Sequence, residues 1–385
     1  MIKRGLRTIR RYPTPITGGI MLALLVGLVI GVNWAGGRSA SQPTVPASSR
    51  PITAMHFSSP NAGWVLSVGE LLATRDGGAH WRDITPGPRD PPIELGTVHF
   101  LDPLHGWAGT IGGFVLPAQG IRIFRTTDGG TTWSTSQVTV DASYALSFDF
   151  VDSQHGWLVV ATQTSTSGFI SAGQLFQTAD GGATWSALPP PPSGHAVGFV
   201  NLSTGWTVGG VMFDQLYVTR DGGHVWQRQN VPLPPVYADT SPALDLPAFV
   251  DSRLAVLPIR FADGSVQLDF SVDGGSTWTE DPKRAPLFVR QPPYAQNEAA
   301  VAPAFVGNGV IAVLLGTELK LQSGGSWISV KPPGFSSIDE IEFVGPIVGW
   351  AVRSREPCPT CVFLSQHDLL RTVDGGHTWT VVPVR

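Results

Sequence analysis

Along residues 51–385 the apolar positions come in short runs broken by clusters of Asp, Gly, Ser and Pro. No stretch in this part of the chain keeps a helical period for several turns. Segments such as Ile121-Arg-Ile-Phe-Arg125 alternate apolar and polar side chains and run straight into an Asp-Gly-Gly turn, the pattern of a half-buried strand ending in a tight turn. The same junction recurs: TRDGGAHW ends at Trp81, TTDGGTTW at Trp133, TADGGATW at Trp185, TRDGGHVW at Trp226, SVDGGSTW at Trp278, QSGGSW at Trp327 and TVDGGHTW at Trp379. The Trp-to-Trp spacings are 52, 52, 41, 52, 49 and 52. Only the sixth copy is reduced, having lost its Asp and one turn residue.

A second element precedes each box. Phe57 to Gly63-Trp64 recurs as Phe100 to Gly106-Trp107, Phe150 to Gly156-Trp157, Phe199 to Gly205-Trp206 and Phe343 to Gly349-Trp350. Phe249 keeps the frame with Ala255-Val256, and the copy at Phe305 is looser. Each unit thus predicts four strands: one ending at the Phe, one starting at Gly-Trp, one running into the box and one opened by the box Trp. Seven such units at 41 to 52 residues predict an all-β, seven-bladed β-propeller of four-stranded antiparallel blades over 51–385. Closure of the ring is expected from packing alone or from residues 40–50 adding a strand.

Composition narrows the classes further. Gly 45 and Pro 33 among 385 residues would be costly in helix interiors. The 42% hydrophobic content and 13 Trp are too apolar for a disordered chain. In the boxes, Asp76, Asp128, Asp180, Asp221, Asp273 and Asp374 are placed to accept backbone N–H groups that follow them, and the two Gly permit positive φ. The ring of Trp81, Trp133, Trp185, Trp226, Trp278, Trp327 or Trp379 can then pack between strands or sheets, with about 5 kcal/mol of gross burial each. These residues read as structural. Asp102, Asp152 and Asp251 occupy equivalent turn positions in different units, so they are structural too and not a catalytic pair.

The amino terminus is of a different kind. Residues 1–15 are a basic segment with Lys3, Arg4, Arg7, Arg10 and Arg11, and residues 16–35 carry no charge. Twenty residues of helix span about 30 Å, so 16–35 is expected to be a transmembrane signal-anchor helix with Trp34 at the far interface. Cleavage after Ala35-Gly36-Gly37 is the alternative, giving a secreted protein. Residues 36–50 read as a flexible tether. By charge asymmetry the propeller lies outside the cytoplasm, on a single-pass membrane protein. Residues 51–385 carry 18 basic and 29 acidic side chains, which speaks against nucleic acid as a partner.

The string Ser/Thr-x-Asp-Gly-Gly-x-x-Trp resembles the Asp-box, or BNR repeat, of sialidases, sortilin-type receptors, xyloglucan-active glycosidases and the photosystem II stability and assembly factor family. The last is the most similar, sharing the preceding Phe-x-Asp-x-x-x-Gly-Trp element over residues 52–384. That resemblance implies an extracytoplasmic, non-catalytic propeller that binds a protein or peptide, without a cofactor or metal. The alternative class is a sialidase-like glycoside hydrolase or a glycan-binding lectin. For the former, Arg290, Tyr294 and Glu298, with Arg260, would form the nearest catalytic set, but Arg50-Pro51-Ile52 has the wrong order for the sialidase Arg-Ile-Pro element.

Loop lengths locate the expected partner face. The first-to-second and third-to-fourth turns keep fixed lengths, while the other two connections, on the opposite side of the ring, vary. The longest are 227–248 and 279–304. They or the strands beside them bring Tyr237, Arg260, Arg284, Arg290 and Tyr294, the residue types favoured in protein interfaces. Cys358 and Cys361, the only cysteines, fall in the variable loop of the last unit and are expected to form a local disulfide in an oxidising compartment.

Overall fold

The computed structural model describes residues 51–385 except 68, 88–93, 111–119, 141–144, 165–169, 211–212, 238–239, 250, 263–264, 281–303, 307–309, 316–317, 324–325, 331–337, 346 and 355–366. Its strands form seven antiparallel sheets, numbered here in chain order. Sheet 1 runs Ile52–Phe57, Gly63–Ser67, Glu70–Thr74 and Arg82–Asp83, and sheet 2 runs Leu95–Phe100, Gly106–Thr110, Ile121–Thr126 and Ser134–Val138. Sheets 3, 4, 5, 6 and 7 open at Ala145, Val197, Ala243, Ala304 and Ile338. In each, chain order is also spatial order, apart from one break in sheet 5 described below. Neighbouring sheets approach most closely through their first strands, which places those strands innermost.

The Phe and Gly-Trp element makes the joints. The Phe lies across the Gly of its own sheet: a Cβ on Gly63 would stand 2.2 Å from the Phe57 ring, and one on Gly106 2.4 Å from that of Phe100. Only glycine admits that approach. The Trp that follows stacks on the Phe of the next sheet, with ring centroids 3.4 Å apart for Trp107 on Phe150, 3.6 Å for Trp157 on Phe199 and 3.8 Å for Trp350 on Phe57. The box Trp of the same sheet meets the Phe edge-on, as in Phe150 with Trp185 and Phe199 with Trp226. Phe150 and Phe199 are thereby held from two sides. Six apolar clusters fill six of the sheet-to-sheet junctions in this way, and Trp107, Trp206 and Trp350 are almost wholly buried in them.

Inner strand edges carry backbone N–H groups with no neighbouring strand to bond them. Carboxylates of the preceding sheet take up several: Asp149 Oδ2 accepts the Phe199 N–H at 2.6 Å, and Glu342 Oε2 accepts the Phe57 N–H at 3.0 Å. The second of these also closes the ring. Sheet 1 meets sheet 7 through Met55 N–H to Glu340 Oε2 at 3.1 Å, Ile52 N–H to His367 Nδ1 at 3.1 Å and the Trp81 indole N–H to Pro383 O at 3.0 Å. Among the described residues neither sheet borrows a strand from the other, so side-chain contacts and packing make the joint.

The architecture expected from sequence, seven uniform four-stranded blades behind a transmembrane helix, is corrected on two counts. Sheet 5 has five strands, because its inner strand is divided into Ala243–Leu244 and Ala248–Phe249, both paired with Ala255–Arg260. Pro258 explains the division. A strand residue turns its N–H and C=O to the same edge, and Pro258 O accepts the Asp245 N–H at 3.1 Å. The missing Pro258 N–H therefore faces the inner strand, and the ladder is interrupted there. Second, no helix among the described residues is long and apolar enough to cross a membrane, and the one helix they contain is the 3-10 turn Pro235–Tyr237. Residues 16–35, where the membrane helix was expected, lie outside the described residues.

Candidate partner-binding face

The two ends of the ring differ in how they use their polar groups. At the tight-turn end the box closes on itself. Asp128 Oδ1 accepts the N–H groups of Thr131 and Thr132, both at 2.9 Å, and the Thr126 hydroxyl at 2.8 Å, while Oδ2 accepts the Thr132 hydroxyl at 2.7 Å. The Thr126 hydroxyl oxygen in turn accepts the Gly130 N–H at 2.8 Å. Gly129 and Gly130 stand at φ 69 and 81, in the left-handed region. Asp76, Asp180, Asp221, Asp273 and Asp374 repeat the arrangement. Hydrogen bonds from Thr132, the backbone one foremost, hold the Asp128 carboxyl down at about 2. In the preceding turns Asp102, Asp152 and Asp251 each accept two backbone N–H groups. The box Trp extend this end sideways: the Trp133 indole N–H donates to Ile84 O of sheet 1 at 2.8 Å.

The loop end over sheets 4 and 5 is assembled from four different connections. The chain from Val231 to Leu246 folds back over the sheets, with Val231, Leu233, Tyr237 and Leu246 packed on the core shared by sheets 4 and 5. Tyr237 stacks on Phe261 at 3.7 Å and its hydroxyl lies 3.2 Å from Ser265 Oγ. Arg260 Nη2 pairs with Asp245 Oδ1 at 2.9 Å. Burial raises the half-buried Asp245 carboxyl, and Arg260 opposes that rise. Phe213 O accepts the Leu244 N–H at 2.8 Å, tying the turn of sheet 4 to that loop. Phe213 is the one non-glycine residue with positive φ among those described, at 60, and its ring meets His195 edge-on at 4.2 Å. Such backbone strain persists only where surrounding contacts hold it. His195 is buried, and burial depresses its imidazole to about 4, so it is neutral.

Of the residues singled out in the sequence for a partner, Tyr237 and Arg260 thus lie at this end, each already engaged within the fold. Arg284, Arg290, Tyr294 and Glu298 lie outside the described residues, as do Cys358 and Cys361. Sequence reasoning missed His195, Phe213, Asp245 and the buried pair Gln267 and Asp269. Gln267 Nε2 donates to Asp269 Oδ1 at 2.6 Å, Oδ2 has no partner, and burial pushes the Asp269 carboxyl up to about 6. One signal existed: polar Ser265, Gln267, Asp269 and Ser271 alternate with Val266, Leu268 and Phe270, and all seven are buried. Among the described residues no group of three or more His, Cys, Asp or Glu is placed to hold a metal ion.

The recurring box and the ring of antiparallel sheets define an Asp-box (BNR) β-propeller. In structure the chain resembles YCF48. It is similar to the structure described as "YCF48 bound to D1 peptide" with a TM-score of 0.54 and 20% identity, covering 85% of this chain and 94% of that one. With YCF48 from Cyanidioschyzon merolae the TM-score is 0.53 at 18% identity, covering 86% and 97%. A puromycin-hydrolyzing peptidase of Mycobacterium tuberculosis gives 0.52 at 10% identity, covering 89% of this chain but 57% of that one. No protein-family model and no curated protein sequence matches the chain.

Proposed function

We propose that the protein is a non-catalytic scaffold that binds a protein or peptide through the loop end of its propeller, and that it serves the assembly or stability of a membrane or envelope complex. The observation that carries this reading is the contrast between the two ends. Tight turns satisfy their own carboxylates, whereas the loop end gathers a strained Phe213, the stacked Tyr237 and the Arg260–Asp245 pair from separate connections. Aromatic and Arg side chains on loops over a rigid ring are the composition of protein-binding surfaces. The fold shared with a peptide-bound YCF48 structure supports the same class of ligand. The basic and then uncharged run of residues 3–35 supports a place outside the cytoplasm, held at the cell membrane by the amino-terminal segment or released from it.

The test is capture from the membranes of the source cell with the full chain carrying a photo-crosslinking residue at 213 or at 284. A discrete crosslinked protein that is lost when residues 284–298 are shortened is the expected result. No discrete crosslinked protein from either position, or capture unchanged by the shortening, would overturn the assignment of the face.

A further inference from the structure

Not every junction keeps the stack: Trp206 meets Phe249 at 4.8 Å with planes tilted by 37°, and the junction between sheets 1 and 2 departs further. Between sheets 1 and 2, Trp64 stands off Phe100, with centroids 6.2 Å apart and planes tilted by 43°. The residue opposite Trp64 is also smaller than its counterparts. In the strand register Trp107 faces Arg125 and Trp350 faces Arg371. Those guanidinium groups reach the next sheet, Arg125 donating to Asp180 O at 3.1 Å and Arg371 to Pro60 O at 3.2 Å, with Arg371 lying 5.2 Å over the Trp350 ring. Trp157 faces Gln177 and Trp206 faces Val218. Trp64 alone of the five faces an alanine, Ala73.

The small side chain leaves a cavity of about 30 Å³ bounded by Trp64, Ala73, Phe100, Arg75 and Pro103. A single water needs about 10–15 Å³ of such space. Its polar inventory is unbalanced towards donors. The Trp64 indole N–H is buried and meets no acceptor. In sheets 2 and 3 the equivalent N–H groups donate to the first Gly carbonyl of the next box, Gly181 O at 2.7 Å and Gly222 O at 2.9 Å, whereas that of Trp350 in sheet 7 is buried without an acceptor like that of Trp64 but has Arg371 over its ring. Beside Trp64 the corresponding carbonyl, Gly129 O, is taken by Arg82 Nη2 at 2.7 Å. Arg75 is exposed at the cavity wall, with no hydrogen bond or ion pair among the described residues. The other charged groups are engaged: Asp102 accepts from Leu104 and His105, and His56 pairs with Glu342.

We propose that this cavity is a carboxylate site: an acidic side chain or a chain-terminal carboxylate of a peptide enters between Trp64 and Phe100, accepts the Trp64 indole N–H and pairs with Arg75. The site is at the tight-turn end, apart from the loop face. It shares with the proposed function only the expectation of a peptide ligand, and its test needs no native partner.

The test is titration of ¹⁵N-labelled full-length protein with three short peptides, following the Trp64 indole N–H resonance assigned through Trp64→Phe. The probes are acetyl-Gly-Glu-Gly-amide, acetyl-Gly-Gln-Gly-amide and acetyl-Gly-Gly-Gly with a free carboxylate. A saturable shift with the Glu peptide identifies a side-chain site, one with the free-terminus peptide a terminal site, and either supports the proposal. The Gln peptide should bind about tenfold more weakly, as should the Glu peptide to Arg75→Gln, the scale of one charge-assisted hydrogen bond. Ala73→Arg, which rebuilds the arrangement of sheets 2 and 7, should abolish the shift. An equal response to the Gln peptide, no response to any carboxylate, or full binding by Arg75→Gln would overturn it. Arg75 is exposed, so that variant tests the proposal even if Ala73→Arg fails to fold.

Discussion

Compare two aspartates that both lie close to a turn. Asp128 is half-exposed, and every bond it makes is to a residue within four positions of it in the chain. Asp269 is fully buried, has one oxygen on Gln267 and the other on nothing, and faces a core supplied by sheet 4 and by the loop from Val231. The first carboxylate is held below its ordinary range and the second is pushed well above it. The box thus carries its own stability wherever it occurs. Asp269, inside its strand, and the loop end with its strained Phe213 both depend on pieces that are distant in sequence.

The largest effect that tests this contrast lies in the joints beneath the boxes. Trp107 combines a stack on Phe150 with an indole hydrogen bond to Gly181 O, and Trp107→Ala should destabilise the protein by about 3–5 kcal/mol in chemical unfolding. Trp64, without the stack or the hydrogen bond, should cost about 1–2 kcal/mol less on the same change. Equal losses would mean that stacking is incidental to the joint.

Next comes Asp269. Its carboxyl titrates at about 6 in the fold against 3.8 when free, so the folded state favours the protonated form. Stability contributed by that proton is complete below about pH 4 and is lost as pH rises through 6. Asp269→Asn mimics the protonated form. It should raise stability at pH 7 by about 1–3 kcal/mol and flatten the pH dependence between 4 and 6. Measured unfolding curves at both pH values check this, and a destabilised variant at pH 7 would show that the ionised carboxylate is stabilised within the fold. Thr126→Val comes third. It removes the hydroxyl that accepts the buried Gly130 N–H, and should cost about 1–2 kcal/mol.

These differences also explain what could be read in the chain beforehand. Box and Gly-Trp positions are legible because their contacts repeat at fixed short spacings: the clash between Gly63 and Phe57 is six residues long. Pro258 is visible in the sequence, but its effect needs the knowledge that its edge faces the inner strand. Tyr237 and Arg260 stood out as residue types, yet their partners Phe261 and Asp245 depend on how the loop folds back, which no local pattern encodes. Ala73 becomes informative only beside Arg125 and Arg371, once register sets the three in equivalent places.

The smallest effect per residue is the most distributed. Asp76, Asp128, Asp180, Asp273 and Asp374 are each held at about 2 by hydrogen bonds within their own boxes. A carboxyl with a depressed folded value stabilises the fold above its free value of 3.8, and that contribution fades as pH falls towards 2. Because the groups are exposed or half-exposed, each contributes little and is screened by water and salt. Their number makes the slope of stability between pH 4 and 2 the readable quantity. Asp128→Asn should reduce that slope by a fraction of one proton, leaving the region between pH 4 and 6 to Asp269. If the acid slope were unchanged by the box substitution but abolished by Asp269→Asn, the assignment of the two kinds of carboxylate to opposite pH windows would be wrong.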